Sequence, residues 1–103
     1  MIKVLIKENS IRIKGHANYS ELGKDIVCAS VSSIIYTTVN YIMNIDKNSI
    51  EYTDDGNQVN IKKLNSNEIV NILLSTMTEI LKDLEKQYKE NIKIESEEWK
   101  CYI

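Results

Sequence analysis

The chain has no proline, no phenylalanine, three glycines, two cysteines and a single histidine among its 103 residues. Each scarcity removes a class of explanation. Without proline, and with so little glycine, there is no stiff polyproline spacer and no flexible linker. Two cysteines do not make the disulfide framework of a small secreted scaffold, so a reducing cytoplasm is the expected setting. One histidine and two distant cysteines fall short of a closed zinc set, and no metal or other cofactor is expected.

A strong field of either sign is also missing. The formal net charge is -2, so gripping nucleic acid through its phosphates is not expected, and no direct nucleic-acid partner is assigned. The start, Met1 to Lys7, is too short and too regularly charged for a signal peptide. Residues 26–45 carry no charge at all, a length that could span a bilayer. The run is nevertheless interrupted by Ser30, Ser32, Ser33, Thr37, Thr38, Asn40 and Asn44, and no Trp or Arg belt flanks it. The expectation is a helix buried on most sides of a globular domain, with no membrane partner.

What is present reads as one ordinary domain over residues 1–103, with 43% hydrophobic and 27% charged residues. Ile2, Val4 and Ile6 alternate with Lys3 and Lys7, and Ile11 and Ile13 alternate with Arg12 and Lys14, which predicts a hairpin of half-buried strands. The pattern stops at Gly15-His16, and residues 17–24 read as a loop. Asp25 is a good N-cap for the uncharged helix, in which Val27, Val31, Ile34, Ile35, Ile42 and Ile45 are expected to face neighbours. Asp54-Asp55-Gly56-Asn57 joins two further alternating runs as a second hairpin. Asn65 and Glu68 stand at capping-box spacing before a second helix with Ile69, Val70, Leu73, Met77, Ile80, Leu84 and Tyr88 on its apolar face. Ile92 and Ile94 suggest a last short strand ahead of a polar tail. The order ββαββαβ implies an α/β fold of the α+β type, a mixed sheet packed against two helices.

Two residues could carry chemistry. His16 follows Gly15, which permits a sharp turn that would lift the imidazole clear of the strand ladder. Cys28 lies in the first turn of the uncharged helix, where unpaired amides and the helix dipole favour an anion, and the thiolate is the nucleophilic form. Each also has a plainer reading, a surface histidine in a turn and a small buried apolar residue. As a pair they suit nucleophilic catalysis, the thiol passing its proton to the imidazole and the helix amides steadying an oxyanion.

The run Gly15-His16-Ala17, then Tyr19, Gly23 and Asp25-Ile26-Val27-Cys28-Ala29-Ser30-Val31-Ser32, resembles the ribosomal-processing cysteine protease family Prp, over most of the chain. Small apolar residues are common in that family at the positions of Ser30 and Ser33. The resemblance implies a bacterial cysteine endopeptidase that removes a short N-terminal extension from a large-subunit ribosomal protein, cutting after a pair of aromatic residues. It implies His16 and Cys28 as catalytic dyad, Asp25, Ser32 and Gly15 as supporting residues, and a homodimer. It also implies that residues 17–24 form a mobile loop over the substrate, where Tyr19, Leu22 and Gly23 sit. Asp25 is left with two roles, cap of the helix or third member of a triad, and Ser32 with a hydrogen bond or close packing. Trp99, Cys101 and Tyr102 match no pattern of that family, and Cys101 is read as a tail thiol without a catalytic part. The competing reading is a non-catalytic dimeric module of the same fold that binds a ribosome-assembly intermediate.

Overall fold

The computed structural model describes residues 1–21 and 24–97. Leu22, Gly23 and the segment with Trp99, Cys101 and Tyr102 lie outside the described residues.

The elements follow the expected order: β1 (Ile2–Ile6), β2 (Ser10–Lys14), α1 (Ile26–Ile45), β3 (Ile50–Asp54), β4 (Gln58–Lys63), α2 (Glu68–Gln87) and β5 (Ile92–Ser96). They build one five-stranded sheet in the order β3-β4-β2-β1-β5. β1 pairs with β2, β2 with β4 and β4 with β3 antiparallel, whereas β5 lies parallel to β1. The sheet is therefore mixed. Strand alternation decides which face is covered: Ile2, Val4, Ile6, Ile11, Ile13, Ile61 and Ile92 are buried, while Lys3, Arg12, Lys62 and Lys93 face solvent. Both helices close over the apolar face, and Val27, Val31, Ile35, Val70, Leu74 and Met77 join the strand residues in one core.

The uncharged helix departs from expectation. Val27, Val31, Ile35 and Ile42 are buried as the spacing predicts, joined by Val39, but Ile34 is half-buried and Ile45 exposed. α1 is long and apolar enough to cross a membrane by length and composition, yet only 28% of its most apolar window is buried. Ile26, Tyr36, Tyr41 and Met43 are exposed beside Ile45. Burial on most sides is thus not why charge is missing, because one helix laid on one sheet buries a single stripe. Its hydroxyl residues are accommodated locally: Ser30 Oγ donates to the Ile26 carbonyl at 2.7 Å and Thr38 Oγ1 to the Ile34 carbonyl at 2.8 Å.

α2 begins two residues later than the capping-box spacing suggests. The cap is Asn67, whose Oδ1 accepts from Ile69 N at 3.0 Å and Val70 N at 3.2 Å. Asn65 instead donates its Nδ2 to the Asn48 carbonyl across the preceding loop. The buried stripe is Val70, Leu74, Met77 and Leu81, spaced by four and three, whereas Ile69 and Ile80 point outward. Leu73, Leu84 and Tyr88 pack partly against the core, as expected. The second hairpin turns as Asp-Gly predicts, with Gly56 at φ +88° and Asp54 and Asp55 accepting turn amides. β5 runs further than the two isoleucines suggest, to Ser96, because its backbone is drawn along β1.

Candidate active site

The end of β2 and the start of α1 are brought together by the chain between them. Gly15 takes φ +94°, a conformation costly for other residues, and a Cβ there would collide with the Met1 carbonyl oxygen. Only glycine lets the chain leave the sheet at that angle beside β1. His16 follows and is exposed, clear of the ladder as the turn predicts. Ala17 then dips into the core at 1% exposure. Asn18 turns the chain back at φ +57°, a left-handed conformation that asparagine tolerates well.

Asp25 ties this loop to the helix. Its Oδ1 accepts from Val27 N and Cys28 N, each at 3.0 Å, the geometry of an N-cap. Its Oδ2 accepts from Tyr19 N at 2.9 Å and Ser20 N at 3.3 Å. Desolvation pushes the carboxyl up, but the four amides of Cys28, Tyr19, Ser20 and Val27 outweigh it and hold the acid below its ordinary value. Both oxygens are therefore engaged by backbone, and among the described residues no hydrogen bond joins Asp25 to His16. Of the two roles open from the sequence, the geometry is that of a cap that also clasps the loop.

Cys28 sits half-buried in the first turn of α1, packed against the core. Its sulfur receives the backbone N–H of Ala17 at 3.3 Å. Two recesses flank it. One, of about 210 Å³, is lined by His16, Cys28, Ser32 and apolar floor residues Ile13, Val31 and Val59, with Tyr36 and Asp54 at its far wall. The other, of about 550 Å³, is lined by His16, Asn18, Ser20, Asp25, Cys28, Ala29 and Ser32. His16, Cys28 and Ser32 border both, so the structure brings these three sequence candidates around one opening. No hydrogen bond joins the imidazole to the sulfur among the described residues. Tyr19 is exposed and stacks edge-on against Tyr88, ring centroids 5.4 Å apart at 85°. It props the loop on the C-terminal end of α2 and does not line either recess.

At the far wall, Tyr36 donates its hydroxyl to Asp54 Oδ2 at 2.9 Å. The neighbouring Tyr52 hydroxyl is buried close to both groups, without a well-formed hydrogen bond among the described residues. Burial first, then the Tyr36 and Asp54 charges, push it up to about 12.

Sequence reasoning missed Asn91 and the part played by the Ala17 backbone. Asn91 Nδ2 donates to the Ala17 carbonyl at 2.9 Å across a gap of 74 residues. Ala17 was visible as the third residue of the Gly-His-Ala motif, but a backbone amide leaves no mark of its own in a sequence. Asn91 carried no local signal.

The geometry meets its relatives at this point. The family model described as cysteine protease Prp matches residues 1–93. The ribosomal processing cysteine protease Prp of Staphylococcus aureus is 33% identical over 91 residues, covering 85% of this chain and 86% of that protein. The protein of the same description from Mycoplasma genitalium is 34% identical over 101 residues, covering 96% and 99%. Among solved structures, the essential ribosomal processing protease Prp of S. aureus with a covalently linked product peptide superposes with a TM-score of 0.86. It shares 31% identity and covers 94% of this chain and all of that one. The same protease with a substrate peptide gives 0.83 at 27% identity over the same shares.

Proposed function

The chain belongs to the cysteine protease Prp family, and on that premise we propose that it removes a short N-terminal extension from a large-subunit ribosomal protein with a Cys28–His16 dyad. The observation that carries the reading is the setting of the Cys28 sulfur: first turn of α1, an amide donor at 3.3 Å, and His16 on the rim of both adjoining recesses.

The steps follow from that setting. Cys28 Sγ attacks the scissile carbonyl and forms a C–S bond while its proton passes to the His16 imidazole. The C=O π pair moves onto oxygen, then returns as the C–N bond breaks, and His16 gives its proton to the leaving amine. Water enters, His16 takes its proton, and hydrolysis of the thioester frees the new carboxylate and regenerates the thiol. Asp25 holds the helix and the loop that carry the pair. Ser32, bordering both recesses, is placed to meet the substrate backbone. The apolar floor of the smaller recess suits an aromatic side chain, and the larger recess suits the other side of the cut. The relatives are named for ribosomal processing and S. aureus Prp has been captured with substrate and product peptides, which supports a ribosomal protein segment as substrate here. The setting is a bacterial cytoplasm. The enzyme works as a homodimer, to which the exposed apolar residues of the uncharged α1 lend support.

A synthetic peptide with two aromatic residues before a small one tests the substrate. Product masses are expected to place the cut directly after the aromatic pair. Equal cleavage of a peptide with both aromatics replaced by alanine would contradict the reading.

A further inference from the structure

We propose that the backbone N–H of Ala17 is the oxyanion donor of this reaction, and that Asn91 is the positioning residue that holds it in place. The inference rests on the cysteine peptidase reading and adds to it the group that receives the developing charge.

Acyl transfer needs a fixed donor where the carbonyl oxygen becomes negative. The helix amides at and beside the nucleophile are occupied. Val27 N and Cys28 N both donate to Asp25 Oδ1 at 3.0 Å, and Ala29 N donates to the Asp25 carbonyl at 3.0 Å. The Ala17 N–H faces the nucleophile itself, 3.3 Å from Sγ. In the tetrahedral adduct the oxyanion is bonded to the carbon that Sγ has just joined. A donor already aimed at the sulfur therefore needs only a short shift to reach that oxygen. Sulfur is a weak acceptor, whereas an oxyanion makes a short, charge-assisted bond. The interaction strengthens as charge leaves sulfur for oxygen, which is the condition for accelerating the step.

The amide is also held in advance. Ala17 is 1% exposed, and its carbonyl accepts Asn91 Nδ2 at 2.9 Å. Asn91 is itself fixed by both ends of its backbone: its N–H donates to the Tyr88 carbonyl at 2.9 Å, and its carbonyl accepts Ile2 N at 2.8 Å. Residue 17 is thus tied through its carbonyl to the turn that leads into β5, while its N–H faces the sulfur.

Replacing Ala17 by lactic acid in a chemically assembled chain removes this N–H and keeps the methyl group. Two rates are read: peptide cleavage, which builds an oxyanion, and alkylation of Cys28 by iodoacetamide, which does not. Cleavage is expected to fall by about 10²–10³ in kcat, with alkylation changed only a few-fold. Asn91→Asp, which keeps shape but loses the donor, is expected to lower kcat about tenfold at unchanged KM, with Asn91→Gln recovering part of it. Equal losses in both rates would show that the N–H serves only the sulfur and would overturn the proposal, as would unchanged cleavage. If the ester chain does not fold, the Asn91→Asp and Asn91→Gln pair decides by the same two rates. Failure of the unaltered protein to cut any peptide would instead overturn the peptidase reading itself.

Discussion

Asp25 accepts the backbone N–H of Tyr19 at 2.9 Å on one oxygen while its other oxygen caps α1 through Val27 and Cys28. One side chain therefore sets the distance between the loop that follows His16 and the helix that carries Cys28. Asp25→Ala is expected to lower Tm and to reduce cleavage together, because cap and clasp are lost at once. The folded carboxyl titrates below its free value. The stability it contributes is whole above about pH 4 and is lost as pH falls through the lower folded value. Thermal unfolding between pH 6 and pH 2 checks this: the acid-side fall in Tm should be shallower in Asp25→Asn, and an identical fall would count against the clasp.

Gly15→Ala meets two obstacles, a φ of +94° and the Met1 carbonyl. A strained non-glycine residue alone costs about 1–3 kcal/mol, and the collision adds to it. Denaturant unfolding should show a loss of at least that size, with Gly56→Ala costing less because a Cβ there meets nothing within 4 Å. A loss at Gly56 equal to that at Gly15 would contradict the close approach to β1.

Much of this was legible in the sequence, and the misses have physical causes. Period-two alternation exposed the strands because the sheet has one covered and one open face, so Ile2, Val4 and Ile6 against Lys3 and Lys7 needed no further information. Capping-box spacing starts α2 two residues early because Asn65 and Asn67 are both good caps, and only Asn67 has its Oδ1 on Ile69 N and Val70 N. The lack of charge in α1 suggests burial on most sides, but composition cannot tell a residue hidden by its own fold from one left on the surface, as Tyr41 is at 58% exposure. At the site, turn chemistry, capping and helix position made the places of Gly15, His16, Asp25 and Cys28 legible but not their roles, and only the family resemblance paired His16 with Cys28 as a dyad. The clamp on Ala17 did not, because the Asn91 contact depends on β5 returning parallel to β1, a long-range pairing with no local signature.

Tyr52→Phe removes a buried hydroxyl that lies beside Tyr36 and Asp54 without a well-formed hydrogen bond among the described residues. An unsatisfied buried polar group is costly, so the substitution is expected to leave stability unchanged or raise it by up to about 1 kcal/mol. Loss of stability in urea unfolding would mean that this hydroxyl is paired in solution.

The dimer is tested on the outer side of α1. Tyr41→Glu puts a charge on a residue 58% exposed in the single chain. Sedimentation is expected to show a dimer for the unaltered protein and a monomer for Tyr41→Glu, with far-ultraviolet circular dichroism unchanged. A Tyr41→Glu protein that remains dimeric would move the interface elsewhere.

The most direct test of the dyad is the cleavage rate of one peptide with an aromatic pair, measured for the unaltered protein, Cys28→Ala and His16→Ala. The account predicts no product above background for Cys28→Ala and a loss of about 10²–10⁴ for His16→Ala, with both proteins folded. Cleavage by Cys28→Ala at a rate near that of the unaltered protein would contradict it.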